Sequence, residues 1–381
     1  MKTKILFLLI LTVASLGSRA QGLPFQLPDS ISPETISKIL EMFKPSLGDT
    51  LTSVEVTGEG ELTLRIYAPE ANKVGLSGDL IGMNLYGPEF TRDSQGVWTG
   101  VVRDLKPGIY SYLFTVDGVK ANDPRAKTFI DGQSVLEYDP QGDAFWAMRD
   151  VPHGTISAIY YPSTTTNTTR RMHVWTPADY NQTTDPLPVL YLIHGGGGTD
   201  ASWSTTGRAG FILDNLLADG KMVPMVVVMP DGGMETSLFT DELMNDIIPY
   251  VERNFRTLTD ADHRAVAGLS MGGLETLDIL LRHYNSFTYV FPMSTGWFAN
   301  TGVFEQWEPY IKEHADEMNK AFKAFTFFMG GEIDIAYSNC VNTRALFEKY
   351  GVRHEYSSMD GGHSWYVWRH NLRDIAPVLF K

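Results

Sequence analysis

Polar and apolar residues alternate with a period of two in several short segments of the first third of the chain, among them 61–67, 97–101 and 110–116. Successive side chains of a β-strand point to opposite faces of a sheet, so each segment predicts a half-buried strand. Short strands separated by turn signals at this spacing are typical of an antiparallel sandwich. We therefore predict a small all-β, immunoglobulin-like sandwich over residues 53–140.

The pattern changes after residue 150, where continuous apolar runs alternate with amphipathic helical segments. The strand-like runs are 189–193, 225–229, 265–267, 289–291 and 325–329, and the helical segments are 208–219, 240–254, 271–283, 303–323 and 338–350. Strands that are apolar throughout are buried on both faces, which indicates a mostly parallel sheet with helices on both sides. Residues 150–381 are therefore predicted to form one α/β domain. Ligands of such sheets bind at the carboxyl ends of the strands.

The first 20 residues have the three-part pattern of a secretory signal peptide. A short basic start is followed by the apolar run 5–16 and then by Ser18-Arg19-Ala20. We predict cleavage near Ala20 and a secreted or periplasmic location. No later run approaches the ~18 apolar residues of a membrane span. Residues 21–52 form a proline-rich leader, in which Ser32 and Pro33 begin a short predicted helix.

Composition excludes several classes of function. The 381 residues carry a net charge of −14, whereas nucleic acids and anionic membranes need a basic protein face. A single cysteine, Cys340, excludes an intrachain disulfide framework and a cysteine-rich zinc site. Nothing in the sequence implies a metal or an organic cofactor.

A candidate nucleophile lies in Gly268-Leu269-Ser270-Met271-Gly272, between a predicted strand and a predicted helix. In this context the G-x-S-x-G pattern holds its serine on a sharp turn, with the hydroxyl above the sheet. The two glycines are small, so strand and helix can pass closely. Backbone N–H groups at the helix start favour negative charge. The alternative is a glycine-rich turn without chemical function.

Four consecutive glycines, 195–198, follow His194 at the end of the first central strand. An H-G-G-G run in this position supplies one N–H of an oxyanion hole, and the residue after the nucleophile supplies another. The backbone N–H groups of Gly196 and Met271 are the candidates. A phosphate-binding loop would need a Lys-Ser/Thr pair, which does not follow these glycines.

A serine hydroxyl is a weak nucleophile until a base takes its proton. Of the nine histidines, His363 lies in a glycine-rich loop between a late strand and the last helix. Asp334 follows the strand 325–329 and can orient the imidazole and stabilise its cation. Glu332 and Asp360 are rival acids. The chain order Ser270, Asp334, His363 is that of the α/β-hydrolases.

The resemblance to a known protein family extends well beyond these residues. Residues 150–381 resemble carbohydrate esterase family one, the feruloyl and acetylxylan esterases of the esterase D group, which are α/β-hydrolases. The matching segments are 191–197, 214–221, 226–232, 264–273 and 361–365. The resemblance implies a serine carboxylic-ester hydrolase with Ser270 as nucleophile, His363 as base and Asp334 as acid. It implies feruloyl or acetyl esters of plant cell-wall xylan and arabinoxylan as substrates.

Residues 54–138 resemble the glycogen-binding-like early-set sandwich that often precedes these esterases. The motifs are Ser77-Gly78-Asp79, Gly96-Val97-Trp98, Pro107-Gly108-Ile109-Tyr110-Ser111-Tyr112 and Val116-Asp117-Gly118. The chain departs from that pattern twice. Residues 82–84 stand where a glycan-stacking tryptophan is expected, and Leu113 where a glycan-contacting lysine is expected. We therefore expect a scaffold that packs on the esterase and helps shape its cleft.

Aromatic side chains on loops near the site would suit a feruloyl ester of a sugar, because aromatic rings can stack on both the acyl group and the sugar. The candidates for substrate binding are Trp203, Phe239, Trp297 and Trp365. Each is equally compatible with a place in the core. Trp368, one helical turn after Trp365, is expected in the core.

The sequence leaves two other functions open. A siderophore esterase of the enterochelin type resembles the chain in both domains, although its triply anionic substrate calls for cationic residues. A carbohydrate-binding pseudo-esterase is the alternative from another class. Fold does not choose among these functions. Oligomeric state, and acyl transfer in place of hydrolysis, are also left open.

Overall fold

The computed structural model describes residue 38 and residues 46–81, 87–130, 132–142 and 144–381. The predicted signal peptide lies outside the described residues, as does the predicted leader helix except for Lys38, which is helical. The chain forms two compact units, 1–51 and 52–381. In the first, Ser46 caps the short helix α1 (Leu47–Thr50), and its backbone N–H donates to Asp49 Oδ2 at 2.7 Å.

The second unit begins with the predicted sandwich. Its strands are β1 (Val54–Gly58), β2 (Glu61–Tyr67), β3 (Val74–Ser77), β4 (Thr91–Arg92), β5 (Val97–Val102), β6 (Gly108–Val116), β7 (Val119–Ala121), β8 (Thr128–Ile130) and β9 (Gln133–Tyr138). They form two antiparallel sheets, in the orders β1-β2-β5-β4 and β3-β6-β9-β8, with β7 pairing with β6. The sheets enclose an apolar core that includes Leu62, Leu64 and Phe114, all with 0% exposure. The alternating pattern thus predicted β2, β5 and β6.

The rest of the second unit is an eight-stranded sheet with helices. Its strands are β10 (Thr155–Ser163), β11 (Thr168–Thr176), β12 (Val189–Ile193), β13 (Val226–Pro230), β14 (Arg264–Leu269), β15 (Tyr289–Met293), β16 (Ala324–Met329) and β17 (Glu355–Ser358), and its helices are α2 (Ala209–Ala218), α3 (Thr236–Glu242), α4 (Ile248–Asn254), α5 (Met271–His283), α6 (Val303–Ala321), α7 (Tyr337–Lys349) and α8 (Trp365–Ile375). The strand order is β10-β11-β13-β12-β14-β15-β16-β17. An opening antiparallel hairpin joins six parallel strands. The mostly parallel α/β fold expected from the sequence is confirmed.

One helical segment differs from its prediction. The helix predicted for 240–254 starts at Thr236 and has a π-helical stretch, Leu243–Ile247, between α3 and α4. Its earlier start has a local cause, because the side chain of Glu235 accepts hydrogen bonds from the N–H groups of Ser237 and Leu238. Glutamate is not among the preferred N-cap residues, so no strong start signal precedes this helix in the sequence.

The sandwich and the α/β domain share one apolar core. Ile109 of β6 and Val135 of β9 belong to the same buried cluster as Leu213 of α2 and Leu372 of α8. Arg369 of α8 is fully buried at this junction, where its Nη1 donates to the carbonyl of Thr206 at 2.7 Å. A side chain on Gly108 of β6 would begin 2.8 Å from Arg369 Nη2. This packing holds the sandwich against the carboxyl-end face of the large sheet, where the candidate site lies.

Candidate active site

Ser270 occupies the turn between β14 and α5 in a conformation that few residues other than glycine adopt, with φ 54° and ψ −114°. Two glycines make the turn possible. A Cβ on Gly268 would lie 2.0 Å from the carbonyl oxygen of Gly272, and a Cβ on Gly272 would lie 2.3 Å from that of His194. The N–H of Ser270 donates to Met293 O at 2.8 Å. Such backbone strain costs about 1–3 kcal/mol and persists only where the surroundings hold it.

His363 connects Ser270 with Asp334. Its Nε2 lies 2.9 Å from Ser270 Oγ, and its Nδ1 lies 2.9 Å from Asp334 Oδ1. A carboxylate can only accept, so Nδ1 carries the proton and Nε2 is free to accept the serine O–H. The three side chains come from the loops after β14, β16 and β17, which meet at the carboxyl-end edge of the parallel strands. The rival acids Glu332 and Asp360 are exposed.

Asp334 is buried, with an exposure of 3%. Burial raises the pKa of its carboxyl, but the hydrogen bonds from His363 and from the N–H of Ala336 outweigh burial and lower the pKa below its usual value. The carboxylate is therefore ionised at neutral pH, and it can stabilise a positive charge that develops on the imidazole.

The glycine loop lies against the serine turn. A Cβ on Gly195 would be 3.0 Å from Ser270 Cβ, and one on Gly196 would be 3.1 Å from Met271 Cγ. Met271 is the first residue of α5, so its N–H has no acceptor within the helix. The two amides predicted for an oxyanion hole thus belong to neighbouring backbone segments.

The His194 side chain holds the glycine loop in place through two hydrogen bonds. Its Nδ1 lies 2.8 Å from Gly195 O, and its Nε2 accepts from the N–H of Gly232 at 3.0 Å. With an exposure of 3%, it is a structural support of the loop. The sequence assigns His194 to the glycine loop without a specific role, because the contact with Gly232 joins segments that are distant in the chain.

Ser270 opens onto a cleft of about 480 Å³. The α/β domain contributes the glycine loop and the side chains of Thr199, Ser202, Thr206, Leu269, His363, Ser364, Trp365 and Trp368. The sandwich contributes Gly78, Asp79, Ser111 and Gln133. Asp79 Oδ2 accepts from Ser111 Oγ at 2.9 Å, which leaves Oδ1 without a donor among the described residues. Sequence reasoning missed these sandwich residues, because only tertiary packing brings them to the cleft.

The prediction that four aromatic side chains bind substrate is wrong for three of them. Trp203, Phe239 and Trp297 have exposures of 1%, 0% and 4% and pack in the core. Trp203 also donates its indole N–H to Ile193 O at 3.1 Å. Trp203 and Trp297 lie on loops that fold back into the domain, and Phe239 lies on the buried face of α3. Burial of a large apolar ring is more favourable than its exposure. None of the three lines the cleft.

Trp365 is half-buried and lines the cleft together with Trp368. The rings of Trp365 and Trp368 meet edge to face at 5.2 Å, and Trp368 meets the His363 ring at 5.1 Å. Trp368 has an exposure of 8%, so it belongs to the core as expected and also forms the floor of the cleft beside the candidate base.

Two further properties of the described residues bear on the site and its surroundings. They contain no cluster of His, Cys, Asp and Glu side chains arranged to hold a metal ion. No helix within the described ranges has the length and apolar character needed to cross a membrane.

The sheet order and the serine on its strand–helix turn define an α/β-hydrolase. Residues 163–379 match the family "Putative esterase", more than half of the chain, and residues 47–141 match "Carbohydrate-binding module 48 (Isoamylase N-terminal domain)". The chain therefore belongs to this esterase family. Both resemblances inferred from sequence are confirmed.

Among curated relatives, an endo-1,4-beta-xylanase/feruloyl esterase of Xylanibacter ruminicola is 32% identical over 86% of this chain and 46% of its own length. An esterase of Mycobacterium tuberculosis is 29% identical over 63% of this chain and 55% of its own length. The chain thus spans about half the length of these relatives.

Solved structures share the fold. A feruloyl esterase module from Clostridium thermocellum is 23% identical, with a TM-score of 0.56 over 64% of this chain and 94% of that module. The enterobactin esterase of Shigella flexneri is 18% identical, with a TM-score of 0.63 over 85% of this chain and 94% of that enzyme.

Proposed function

We propose that this chain is a secreted serine esterase that removes feruloyl groups, or acetyl groups, from xylan and arabinoxylan of plant cell walls. The observation that carries the proposal is the hydrogen-bonded series Ser270–His363–Asp334 at the head of a cleft. Each distance in the series is 2.9 Å, within the reach required for proton transfer between nucleophile and base.

In the proposed mechanism, Ser270 Oγ attacks the ester carbonyl while His363 Nε2 takes its proton. Asp334 keeps the imidazole in the required tautomer and stabilises its cation. His363 then protonates the departing sugar alcohol, which leaves an acyl-enzyme. Water cleaves the acyl-enzyme with the same base, and Ser270 is regenerated.

The N–H groups of Gly196 and Met271 are proposed to bind the oxyanion of the tetrahedral intermediate. Their segments are fixed before substrate arrives, because Gly195 lies against the serine turn and His194 fixes the loop. Donors held in place cost no reorganisation during the reaction. One such donor lowers the barrier by roughly 2.7–4 kcal/mol.

The cleft supports an aromatic acyl group and a sugar alcohol. Trp365 and Trp368 offer aromatic surface next to His363, whereas Asp79, Ser111 and Gln133 offer hydrogen-bonding groups on the sandwich side. An acetyl group would leave the aromatic surface unused, so we favour the feruloyl ester. The relative from Xylanibacter ruminicola, which carries feruloyl esterase in its name, supports this choice.

The same cleft argues against a siderophore esterase. Its lining contains no lysine or arginine among the described residues, and it includes the Asp79 carboxyl. A triply anionic ferric complex would meet no compensating charge there. The similarity to an enterobactin esterase therefore concerns the fold, and it does not support a siderophore as the substrate of this chain.

The test is a paired rate assay of the purified chain and Ser270→Ala on methyl ferulate and on acetylated xylan. We expect turnover by the wild type, with ferulate preferred, and a loss of about 10⁴-fold or more in the variant. A fluorophosphonate probe should label the wild type and leave Ser270→Ala unlabelled. Full activity of the variant would refute the mechanism. No turnover and no labelling of the wild type would favour the binding-protein alternative.

Secretion is tested separately, by sequencing the N-terminus of the protein recovered from cells of its source and from the medium. A mature N-terminus at Gln21 is expected. Full-length protein retained in the cytoplasm would contradict this part of the proposal.

A further inference from the structure

Two buried polar atoms lie on the acid side of the site without a partner of standard geometry. Asp334 Oδ1 is fully used, since it receives the His363 Nδ1–H and the N–H of Ala336, both at 2.9 Å. Asp334 Oδ2 is buried and has no such partner among the described residues, and the same holds for Ser294 Oγ. A buried acceptor and a buried donor are both unfavourable when left unpaired.

Ser294 is itself unusual. It follows β15 directly, has 0% exposure, and adopts a φ of 44°, in the left-handed region where residues other than glycine are uncommon. Its N–H donates to Phe328 O at 2.8 Å, which ties it to β16, the strand that leads to Asp334. Strained residues that are held in place in this way cluster at functional sites.

The neighbours of Ser294 contact the candidate nucleophile. Met293 O accepts from the N–H of Ser270, and Thr295 Oγ1 donates to Ser270 O, both at 2.8 Å. The segment 293–295 therefore joins the serine turn to the loop that carries Asp334. A shift of this segment would move Ser270 and Asp334 relative to each other.

The Ser294 hydroxyl lies close to the Asp334 carboxyl. Burial raises the pKa of Asp334, and Ser294 is one of the groups that offset it, after His363 and Ala336. Gly330 borders the same oxygen, because a Cβ at Gly330 would lie 3.1 Å from Asp334 Oδ2. The free oxygen is thus buried beside Gly330, and the Ser294 hydroxyl is among the groups that act on the carboxyl.

We propose that Ser294 is a positioning residue, whose hydroxyl donates to Asp334 Oδ2 and so keeps Oδ1 directed at His363 Nδ1. The inference rests on the proposed Ser270–His363–Asp334 mechanism. The hydrogen bond tightens when the imidazole becomes a cation, because a carboxylate in a buried ion pair needs donors on both oxygens. Hydrogen bonds of catalytic groups are often longer in the free enzyme than in the reacting complex.

The first measurement is the pH dependence of kcat and KM for Ser294→Ala with methyl ferulate. We expect kcat to fall about tenfold with KM changed by less than about twofold, since a donor to a charged group is lost and substrate is not touched. The acid limb of the kcat/KM profile should move to lower pH, because the ion pair that forms when the base is protonated loses a supporting donor. Ser163→Ala is the matched control. It removes another buried hydroxyl that donates to a carboxylate, Asp246, and should leave both parameters unchanged.

Ser294→Gly separates the hydroxyl from the backbone. Glycine adopts a φ of 44° without strain, so this variant folds even if Ser294→Ala does not. It should show the same loss of kcat and the same shift of the acid limb. Wild-type kinetics in Ser294→Gly would overturn the inference.

A double-mutant cycle with Asp334→Asn tests whether Ser294 acts through the carboxylate. On the Asp334→Asn background, Ser294→Ala should have no further effect on kcat. A second tenfold loss there would mean an independent structural role and would refute the inference. Failure of the proposed mechanism is distinguishable, because Ser270→Ala would then remain active. An inactive Ser270→Ala together with a fully active Ser294→Ala would refute the positioning role alone.

Discussion

The backbones of Gly268 and Gly272 approach each other so closely that a methyl group on Gly268 would lie 2.0 Å from the Gly272 carbonyl oxygen. Gly268 lies near the end of β14, two residues before Ser270. Gly272 lies in the first turn of α5. This contact sets the angle between strand and helix, and with it the direction of the serine hydroxyl.

We therefore expect Gly268→Ala to separate β14 from α5. Overpacking against backbone atoms, which cannot move aside as a side chain can, should lower the free energy of unfolding by about 3 kcal/mol and abolish esterase activity. Chemical denaturation and a methyl ferulate assay measure both effects. Gly75→Ala is the matched control, since the nearest atom to its Cβ is 3.9 Å away. A stable, active Gly268→Ala would contradict the geometry of the turn.

Substitution of Asp79 should raise KM for substrates that carry a sugar and leave KM unchanged for substrates that do not. Its carboxyl lies in the cleft with Ser270 and can accept hydrogen bonds from sugar hydroxyls. We expect Asp79→Ala to raise KM for a feruloylated arabinoxylan oligosaccharide about 3- to 10-fold, with KM for methyl ferulate unchanged. Glu70→Ala, an exposed carboxylate of the sandwich outside the cleft lining, is the control. Equal effects on both substrates would show that Asp79 does not contact the sugar.

Trp365 should distinguish the two acyl groups. Loss of its ring removes aromatic surface from the cleft, so Trp365→Ala should raise KM for methyl ferulate about tenfold and leave acetyl ester hydrolysis nearly unchanged. Trp365→Phe should fall between wild type and alanine. Tyr160→Ala removes an aromatic that is 64% exposed on β10 and should have no effect. A larger loss on acetyl than on feruloyl esters would contradict the proposed acyl site.

Glu275 of α5 gives the protein a predictable pH dependence of stability. Burial, and secondarily the nearby Asp231, raises the pKa of Glu275 to about 9. The folded state therefore holds a proton that the unfolded state releases above its ordinary pKa. Stability should fall as pH rises from the unfolded pKa toward the folded one, and it should be unaffected by Glu275 at lower pH.

Glu275→Gln removes this titration. We expect the variant to be more stable than wild type at pH 8, by an amount on the order of a few kcal/mol, and the difference to vanish near pH 4. Urea denaturation at the two pH values measures it. Glu313→Gln, an exposed position on α6, should show no such difference. A stability gain that is independent of pH would contradict a buried, protonated Glu275.

The elements nearest the chemistry were the most predictable from sequence. The helix predicted for 271–283 and the strand predicted for 189–193 coincide with α5 and β12, because glycines and apolar runs of fixed length give both elements local boundaries. Ser270 and Asp334 could be selected because each follows a strand end that the apolar pattern locates, and His363 because it lies in a glycine-rich loop before the last helix. Their assignment to chemical roles stays a prediction for the assays above.

The residues that line the substrate cleft could not be predicted in the same way. Trp297 follows a strand, as an exposed loop aromatic would, but it packs edge to face on Phe304 at 5.5 Å and beside Phe347 at 5.8 Å. Whether a loop ring is buried depends on partners distant in sequence, which periodicity does not reveal. Asp79 reaches the cleft because the sandwich packs on α8. The sequence predicts that the sandwich packs on the esterase and helps shape its cleft, but not which of its side chains line the cleft.

The core shared by Ile109 and Val135 with α2 and α8 limits how this chain can evolve and be engineered. A binding module on a tether can be cut off, exchanged or duplicated while its catalytic neighbour keeps working. Here removal of the sandwich would expose apolar side chains of α2 and α8 to water and would open one wall of the cleft. The unit to keep intact in engineering is therefore the two-domain block 52–381, and a shortened version would need a redesigned surface where α2 and α8 become exposed.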